Sequence, residues 1–317
     1  MRKSMKSVVL ACVLALGVGS AAGAVATAAS VSTAATQKIT YKGQTYTVPA
    51  KTNNIVITGS VESLEDALVL NFKPKGALTV GGEFPKLFSK ITAGVTAIGE
   101  KTEPDLEAIL KLKPDVILSS TKFPEETNKK LAKIATVIPV SHISTDWIHN
   151  LKLLAALTGK KAEATQAIME YQRQLALVKA KVAPKFNGKT VVAVRIRSGN
   201  LFIYPKDVFF NPSLYANLGA AVPKEVGQAK SQQNLSLEGL ASINPDYLFV
   251  QFAAEENKDK EKALQDLQKN PIWKNLKAAK NGNVFVNLVD PLAQGGTAYS
   301  KIAFVEALTK TKLYTGN

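Results

Sequence analysis

Short apolar runs alternate with amphipathic stretches along most of the chain beyond residue 54. The runs have the length of buried strands, and the stretches repeat their apolar positions at helical spacing. Strand and helix in turn predict an α/β domain with a largely parallel sheet, preceded by a hairpin around Lys42-Gly43. The predicted strands are 39–48 (the hairpin), 54–58, 77–80, 116–118 and 137–140, and the predicted helices are 64–70 (capped by Ser63), 105–112, 127–134 and 146–157.

One longer helix is predicted between residues 160 and 184. The segment from Lys160 to Ala183 contains no glycine or proline, and its apolar residues recur at spacings of three and four. An amphipathic helix of about 24 residues is roughly 36 Å long, enough to span two lobes and fix their mutual orientation. Pro184 and Gly188 are expected to end it. A second α/β block then begins with a predicted strand at 190–196.

An internal repeat links the two blocks. Residues 107–118 and 238–249 share the order helix, Pro-Asp, strand, and the Glu-to-Pro interval is 7 residues in both. The repeat predicts two lobes of the same topology. The expected fold class is therefore α/β, with two α/β lobes of largely parallel sheets joined by one long backbone helix. The predicted boundaries are 37–159 for the N-lobe, 160–184 for the spanning helix and 185–317 for the C-lobe.

The first 28 residues have the pattern of a signal peptide, with basic residues, an apolar segment and cleavage sites after Ala26 or Ala28. Residues 29–36 are interpreted as a polar linker. The chain is therefore expected to be exported, to the periplasm or the outer face of the cell membrane. Cys12 is the only cysteine and offers a lipid anchor as the alternative. If cleavage removes it, the mature chain has no disulfide and no thiolate metal site.

The composition sets limits on the partners of the protein. Its 317 residues are 46% hydrophobic and 21% charged, which suffices for two domains of ordinary size. The formal net charge is +15, and loss of the three basic residues of the leader lowers it only to +12. These cations either coat a solvated surface or meet an anionic ligand. No zinc-finger spacing, aromatic RNA-binding motif or basic recognition helix occurs, so nucleic acid is not an expected partner.

The sequence lacks the common catalytic motifs, including G-x-S-x-G, the Walker loop and H-E-x-x-H. His142 and His149 are its only histidines, and isolated histidines in such places are most often structural. Two distant histidines without a cysteine cannot complete the shell that a directly bound zinc or manganese ion requires. The chain is therefore predicted to be a binding protein rather than an enzyme, with no catalytic residue and no bare metal site.

Five cationic residues lie at positions suited to an anion site. Arg195 and Arg197 are two residues apart on a predicted apolar strand, so both side chains point to one face. Burying them requires an anion, either carboxylates of the protein or a ligand. Lys122 follows a predicted strand, where open α/β sheets bind ligands, and Lys101 and Lys230 precede equivalent helices of the repeat. Their recurrence in both lobes predicts a shared basic cleft.

Eight motifs carry a resemblance to a known family: 81–86, 99–104, 114–118, 120–124, 138–142, 195–197, 209–212 and 290–296. They resemble the ferric-siderophore-binding proteins of iron-uptake ABC transporters, over residues 39–308. Within the family the likeness is greatest to Gram-positive lipoproteins that bind ferric bacillibactin or enterobactin. The resemblance implies a periplasmic-binding-protein fold of the spanning-helix class, with the ligand between the lobes. It implies no cofactor, because iron is bound only as the ferric siderophore complex.

The resemblance also implies roles for particular residues. In these relatives basic residues of both lobes hold the trianionic ferric tris-catecholate, and one exposed glutamate per lobe docks on the permease. The implied function is capture of a ferric catecholate siderophore by a monomer that delivers it to an ABC permease. Alternatives are a ferric hydroxamate or citrate-type siderophore, or haem, and, in a different class, a siderophore hydrolase. The matching positions are Lys101, Lys122, Arg195, Arg197 and Lys230 for the ligand, and Glu107 and Glu238 for docking.

Overall fold

Two five-stranded sheets form the two lobes of the chain in a computed structural model that describes residues 35–316. The strands are β1 Thr36–Tyr41, β2 Gln44–Pro49, β3 Ile55–Ile57, β4 Gly76–Thr79, β5 Thr96–Glu100, β6 Val116–Ser120, β7 Thr136–Val140, β8 Val191–Arg197, β9 Asn200–Ile203, β10 Gln233–Asn234, β11 Tyr247–Phe252 and β12 Val284–Val286. The helices are α1 Val61–Val69, α2 Ser89–Thr92, α3 Leu106–Leu112, α4 Glu125–Ala132, α5 Trp147–Thr158, α6 Lys161–Phe186, α7 Lys224–Gln228, α8 Leu237–Ile243, α9 Ala263–Lys269, α10 Pro271–Asn275, α11 Lys277–Lys280, α12 Ala298–Leu308 and α13 Lys312–Thr315.

The two sheets have equivalent strand orders. The N-lobe sheet runs β5-β4-β3-β6-β7 and is parallel throughout, whereas the C-lobe sheet runs β10-β9-β8-β11-β12. In the C-lobe, β9 and β10 are antiparallel. The reason is the two-residue turn Ser198-Gly199, both at positive φ, which sends the chain directly back beside β8 without a crossover helix. The C-lobe sheet is therefore mixed, and its parallel half is β8, β11 and β12.

The internal repeat is a repeat of structure. Helices α3 and α8 both end at a residue in the left-handed conformation, Lys113 and Asn244, with almost identical φ and ψ. Each is followed by the Pro-Asp pair that enters the next strand. The carboxylates of Asp115 and Asp246 accept hydrogen bonds from backbone N–H groups beside the neighbouring strand. The predicted common topology of the two lobes is confirmed at this unit.

Helix α6 lies between the two lobes in the chain and extends two residues beyond the predicted end. At 26 residues it is about 39 Å long. Pro184 lies within its last turn, so the prediction that this proline ends the helix was wrong. Phe186 is the final helical residue, and its buried ring packs edge-on against Tyr247. This buried contact stabilises the last turn of the helix beyond the proline.

Helix α1 begins earlier than the sequence suggested. Ser60, not Ser63, is the N-cap, and its hydroxyl accepts a hydrogen bond from the Ser63 N–H at 3.1 Å. The earlier start brings Glu62 into the helix beside Glu65 and Asp66, and all three are buried. These acidic residues therefore take part in internal contacts rather than in a solvated first turn.

Helix α12 returns from the C-terminal part of the chain and packs against α1, α5 and α6. Its N-terminus meets the buried acids of α1. Glu65 accepts hydrogen bonds from the Gln294 N–H at 2.7 Å and from the hydroxyls of Thr297 and Ser300. The neighbouring Asp66 accepts from the first N–H of α12. Burial raises the pKa of Glu65 to about 7, against the opposing effect of these hydrogen bonds.

The N-terminal hairpin is attached to the N-lobe by a buried tyrosine. Its turn is Lys42-Gly43, as predicted, with both residues at positive φ. The hydroxyl of Tyr41 donates to Asn150 at 2.6 Å and accepts from the Ser141 N–H at 2.8 Å. These two bonds join the hairpin to α5 and to the end of β7.

Among residues 35–316, no helix combines the length and the apolar character needed to cross a membrane. The predicted signal peptide, including Cys12, and residues 29–34 of the predicted linker lie outside the described residues.

Candidate ligand-binding cleft

The five predicted cations surround two adjoining cavities in a cleft lined by residues of both lobes. Lys122, Arg195, Arg197 and Lys230 line the first cavity, which has a volume of about 350 Å³. Lys101 lines the second, of similar volume, which shares Lys122 and Arg197 with the first. The structure therefore brings all five side chains to one region, as the predicted basic cleft requires.

Strand ends explain how the fold places these cations. Lys101 directly follows β5, Lys122 comes two residues after β6, and Arg195 and Arg197 lie at the end of β8. The carboxyl ends of strands in open α/β sheets are the usual ligand-binding edge. Lys230 lies on the loop between α7 and β10, and it makes no ion pair within residues 35–316.

The two arginines share a single carboxylate oxygen. The Nε atoms of Arg195 and Arg197 donate to Oε2 of Glu256 at 2.8 and 3.0 Å. The side chain of Arg195 is only 1% exposed, and its Nη2 has no hydrogen-bond partner among the residues described. Arg197 donates from Nη1 to Gln232 at 2.7 Å. Nη1 of Arg195 donates to the carbonyl oxygen of Ala293 at 3.4 Å. In both arginines Nε and Nη1 therefore have protein partners, and Nη2 makes no hydrogen bond within residues 35–316.

Glu256 also joins the two lobes. Its second oxygen, Oε1, accepts a hydrogen bond from Nζ of Lys101 at 2.8 Å. Although burial opposes its charge, the three cations hold the pKa of Glu256 far below its ordinary value. Burial lowers the pKa of Lys101, and Glu256 partly restores it. A single carboxylate thus organises three of the five cations.

The N-lobe side of the first cavity carries a second carboxylate, that of Glu62. Nζ of Lys122 donates to Oε1 of Glu62 at 2.6 Å, while Oε2 of Glu62 is buried without a partner in the described part of the chain. His142 also lines this cavity and shares a 2.8 Å hydrogen bond with Thr121. Burial first, and Lys122 second, lower the pKa of His142, so its ring is neutral at pH 7. His149 lies on α5 and does not line either cavity.

Sequence reasoning missed both carboxylates. It treated the pairing of cations by protein carboxylates and by a ligand as alternatives, whereas Arg195 and Arg197 bind Glu256 and also line the cavity. A signal for Glu256 was present, because it lies just beyond β11, at the same edge of the sheet. Glu62 gave no such signal, since an acidic residue in the first turn of a helix is ordinary.

Aromatic rings line the C-lobe side of the first cavity. Tyr204 and Phe209 pack with their ring centroids 4.6 Å apart. The guanidinium carbon of Arg195 lies 5.9 Å from the centroid of Phe209, within the range of a cation–π contact. The hydroxyl of Tyr204 is buried and has no partner in the described region. The wall therefore offers apolar ring surface as well as positive charge.

The two predicted docking residues lie far out on the surface of equivalent helices. Glu107 is in the first turn of α3, with its side chain 87% exposed and 3.9 Å from Lys111. Glu238 occupies the same place on α8 and is exposed. Neither lines the cleft. Both side chains are therefore accessible from solvent.

Protein ligands for a bare metal ion are not assembled in the described part of the chain. No group of three or more His, Cys, Asp or Glu side chains within residues 35–316 is arranged to hold one. The cleft instead presents cations, hydrogen-bond donors and aromatic rings, a combination suited to a large anion with aromatic faces.

Comparison with known proteins identifies the family. Residues 81–287 match the periplasmic binding protein family, and the chain belongs to it. The chain is 49% identical over 300 residues, 95% of each protein, to the iron-uptake system-binding protein of Bacillus subtilis (strain 168). The crystal structure of the triscatecholate siderophore binding protein FeuA from Bacillus subtilis, complexed with ferri-bacillibactin, matches with a TM-score of 0.84 and 51% identity. That match covers 89% of this chain and 99% of FeuA.

A more distant relative has a different ligand. The iron(3+)-hydroxamate-binding protein FhuD of Bacillus subtilis (strain 168) is 28% identical over 290 residues, covering 84% of this chain and 87% of FhuD. All of these relatives are binding proteins. The resemblance to ferric-siderophore-binding proteins that the sequence motifs indicated is therefore confirmed, as is the fold of two α/β lobes with a long helix.

Proposed function

We propose that this protein binds a ferric tris-catecholate siderophore, of the bacillibactin or enterobactin type, in the cleft and delivers it to an ABC permease. The observation that carries the proposal is the convergence of five cations from both lobes on adjoining cavities. The unpartnered Nη2 of Arg195 supplies a buried hydrogen-bond donor on a residue that lines the first cavity. The ferri-bacillibactin complex of FeuA supports the same ligand class.

The chemistry of the ligand matches the cleft. Iron(III) with three catecholate dianions is a trianion whose faces are aromatic rings. Lysine and arginine bind such an anion through charge-assisted hydrogen bonds, and arginine also stacks on aromatic rings. The Nη ends of Arg195 and Arg197, together with Lys101, Lys122 and Lys230, would contact the catecholate oxygens. No bond from the protein to iron is needed, because the siderophore completes the coordination of the metal.

Export and monomeric action complete the proposal. The signal-peptide pattern of residues 1–28 supports a mature chain that acts outside the cytoplasmic membrane. Capture in a cleft formed by two lobes of one chain needs no second copy, which supports a monomer. Iron reaches the protein only within the siderophore complex, so the protein needs no cofactor of its own.

A comparison of ligands tests the proposal. We expect the iron-loaded tris-catecholate to bind at least about 10-fold more tightly than a neutral ferric hydroxamate, since each charge-assisted contact contributes about 1.5–3 kcal/mol. Tryptophan fluorescence would measure this, because Trp147 begins α5, four residues beyond the cavity residue Ile143. Ferric citrate, as another anion, and haemin, for which His142 offers an axial ligand, complete the series. Tighter binding of the neutral hydroxamate than of the catecholate would overturn the proposal.

We infer that Glu107 and Glu238 dock on the permease, one from each lobe. The double substitution Glu107→Ala/Glu238→Ala should leave siderophore affinity unchanged, because neither residue lines the cleft, and should reduce uptake of the iron-loaded siderophore by cells. If the two glutamates only stabilise the N-termini of their helices, each contributes about 0.3–1 kcal/mol to the stability of the fold and nothing to uptake. The matched control is Glu125→Ala/Glu225→Ala, which removes a first-turn glutamate from α4 and from α7. Uptake equal to that of the control would restrict both residues to a helix-terminal role.

A further inference from the structure

Lysines gather at the edge of the C-lobe sheet that lies opposite the cleft. Lys189 comes two residues before β8, and Lys280 comes four residues before β12. The N–H of Lys277 donates at 2.9 Å to the side chain of Asn244, three residues before β11. Because β8, β11 and β12 are parallel neighbours in the sheet, these three lysines lie along the amino ends of the strands. The cleft lies at the carboxyl ends.

Two further lysines, from α6 and α13, extend this row. Nζ of Lys312 donates to the carbonyl oxygen of Asn281 at 2.9 Å, and Nζ of Lys185 donates to the carbonyl oxygen of Lys312 at 2.9 Å. Lys185 is half-buried, and the other lysines of the row are exposed. Together they form one continuous surface, the basic edge, which consists of Lys185, Lys189, Lys277, Lys280 and Lys312.

The protein compensates little of the positive charge of the basic edge. Apart from Lys189, its lysines make no ion pair within residues 35–316. Lys189 lies 3.8 Å from Oδ1 of Asp246, whose Oδ2 already accepts a hydrogen bond from the Thr190 N–H. A backbone carbonyl orients an ammonium group without cancelling its charge, as it does for Lys185 and Lys312. The edge therefore presents cations that remain largely unneutralised.

Stabilisation of helix ends does not account for the basic edge. Cations stabilise the C-terminal turn of a helix, and Lys185 and Lys280 occupy such places on α6 and α11. Lys277 and Lys312, by contrast, begin α11 and α13, and Lys189 lies beyond the end of α6. The net charge of +12 without the leader also exceeds what the five cations of the cleft supply. The basic edge is therefore suited to an external anion.

The shape of the basic edge favours a linear polymer that carries phosphate groups. Neighbouring strands of a sheet are about 4.8 Å apart, so the lysines before β8 and β12 are separated by roughly 10 Å along a row. Lysine binds phosphate as a point charge on a flexible stem, which suits a flexible chain of phosphates. A polyanion gains affinity from every phosphate that is neutralised, because its condensed counterions are released.

The position of the basic edge disfavours a lipid surface as its partner. Glu238, which we infer to dock on the permease, lies in the first turn of α8. Asn244, at the opposite end of α8, contacts Lys277 of the basic edge. A chain docked through Glu238 therefore presents the basic edge away from the membrane that holds the permease. This step rests on the proposed function, whereas the positive charge of the edge does not.

We propose that the basic edge binds a linear phosphodiester polymer of the cell surface. The polymer holds an exported chain near the permease and leaves the cleft free for its ligand. None of the five lysines lines either cavity of the cleft. Polymer binding and siderophore binding can therefore be separated by substitution.

Binding of a fluorescently labelled synthetic oligo(glycerol phosphate), measured by anisotropy, tests the proposal. We expect the affinity of the unmodified protein to fall about 100-fold between about 50 and about 200 mM salt, as five phosphate contacts require. The triple substitution Lys189→Gln/Lys277→Gln/Lys280→Gln leaves two contacts. Its affinity should be at least about 10-fold weaker at the lower salt concentration and should fall by less than about 10-fold over the same range.

The matched control is Lys86→Gln/Lys90→Gln/Lys224→Gln. It removes the same charge from exposed lysines of both lobes that line neither cavity, and it should keep the affinity and the salt dependence of the unmodified protein. Equal affinity of the triple variant and this control would overturn the basic edge as a binding surface, as would no binding by the unmodified protein at about 50 mM salt. Tighter binding to vesicles of anionic phospholipid than to the oligomer, through the same three lysines, would overturn the polymer as the partner.

Titration with the iron-loaded tris-catecholate separates this inference from the proposed function. The triple variant should bind the tris-catecholate as the unmodified protein does, because its three lysines lie outside the cleft. An unmodified protein that binds the oligomer and not the tris-catecholate would overturn the proposed ligand and leave the role of the basic edge intact. The reverse result would overturn the role of the basic edge alone.

Discussion

Replacing Arg197 by alanine is expected to weaken binding of a ferric tris-catecholate by about 10- to 150-fold. The change removes one charge-assisted hydrogen-bond donor, a loss of about 1.5–3 kcal/mol. It also leaves Glu256, which Arg197 binds at 3.0 Å, with less positive charge around it and therefore more repulsive toward an anion. Arg197 is partly exposed at 26% of its side chain, so the folded protein should tolerate its loss.

The matched control for Arg197→Ala is Arg173→Ala. Arg173 lies on the exposed surface of α6, where it pairs with Glu170, and it lines neither cavity. The control changes the net charge by the same amount and should bind the catecholate normally. Fluorescence titrations of both variants with the ferric tris-catecholate, at low and at moderate ionic strength, would compare their affinities. The affinity of the unmodified protein should fall modestly as salt is added. Normal catecholate binding by Arg197→Ala would exclude this residue from the site.

A second expected result is a pH-dependent stability that originates at Glu65. Its folded pKa is raised by burial from 4.5 to about 7, so between these values the folded protein binds more protons than the unfolded chain. The free energy of unfolding therefore decreases as pH rises through this window, by about 3 kcal/mol from this residue. The contribution is greatest below pH 4.5 and lost above pH 7.

Chemical denaturation between pH 5 and pH 7.5 would measure this effect in the unmodified protein and in Glu65→Gln. The variant should lose most of the slope that belongs to Glu65. Asp66, whose pKa is also raised by burial, contributes in the same direction, and His142, whose pKa is lowered, contributes in the opposite one. The difference between the two proteins removes the contribution of His142, whereas part of the Asp66 contribution is lost together with Glu65, because the Glu65 charge also raises the pKa of Asp66. The control Glu163→Gln, on the exposed surface of α6, should show the same pH dependence as the unmodified protein. If Glu65→Gln also showed that pH dependence, the carboxyl of Glu65 would not titrate in this window in the unmodified protein.

The basic cleft was predictable because its cations obey a general rule of α/β folds. Lys122 and the two arginines lie at or just after the ends of strands that the apolar runs predict. Lys101 was located by the helix that follows it, because its own strand, β5, was not predicted. The repeat of helix, Pro-Asp and strand was equally visible. It predicts one parallel strand in each sheet, because in both lobes the Pro-Asp unit enters a strand, β6 or β11, that pairs in parallel with its neighbours.

Other features depended on contacts between distant parts of the chain. Glu256 and Lys101 are separated by 155 residues, and no local pattern links them. The burial of Glu65 depends on α12, which lies more than 230 residues away in sequence. The antiparallel β9 had a local signal, the Ser198-Gly199 turn, but the repeat favoured a parallel crossover at this point.

The return of α12 to the N-lobe has a consequence for the order of folding. This helix supplies Ala298, Phe304 and Leu308 to the large core that also contains residues of α1 and α5. The N-lobe sheet is complete in sequence by β7, yet the acids Glu65 and Asp66 lack their helical partner until α12 is present. The N-lobe therefore reaches its final stability only with the C-terminal part of the chain in place, so a chain truncated before α12 would leave these acids without their hydrogen-bond donors.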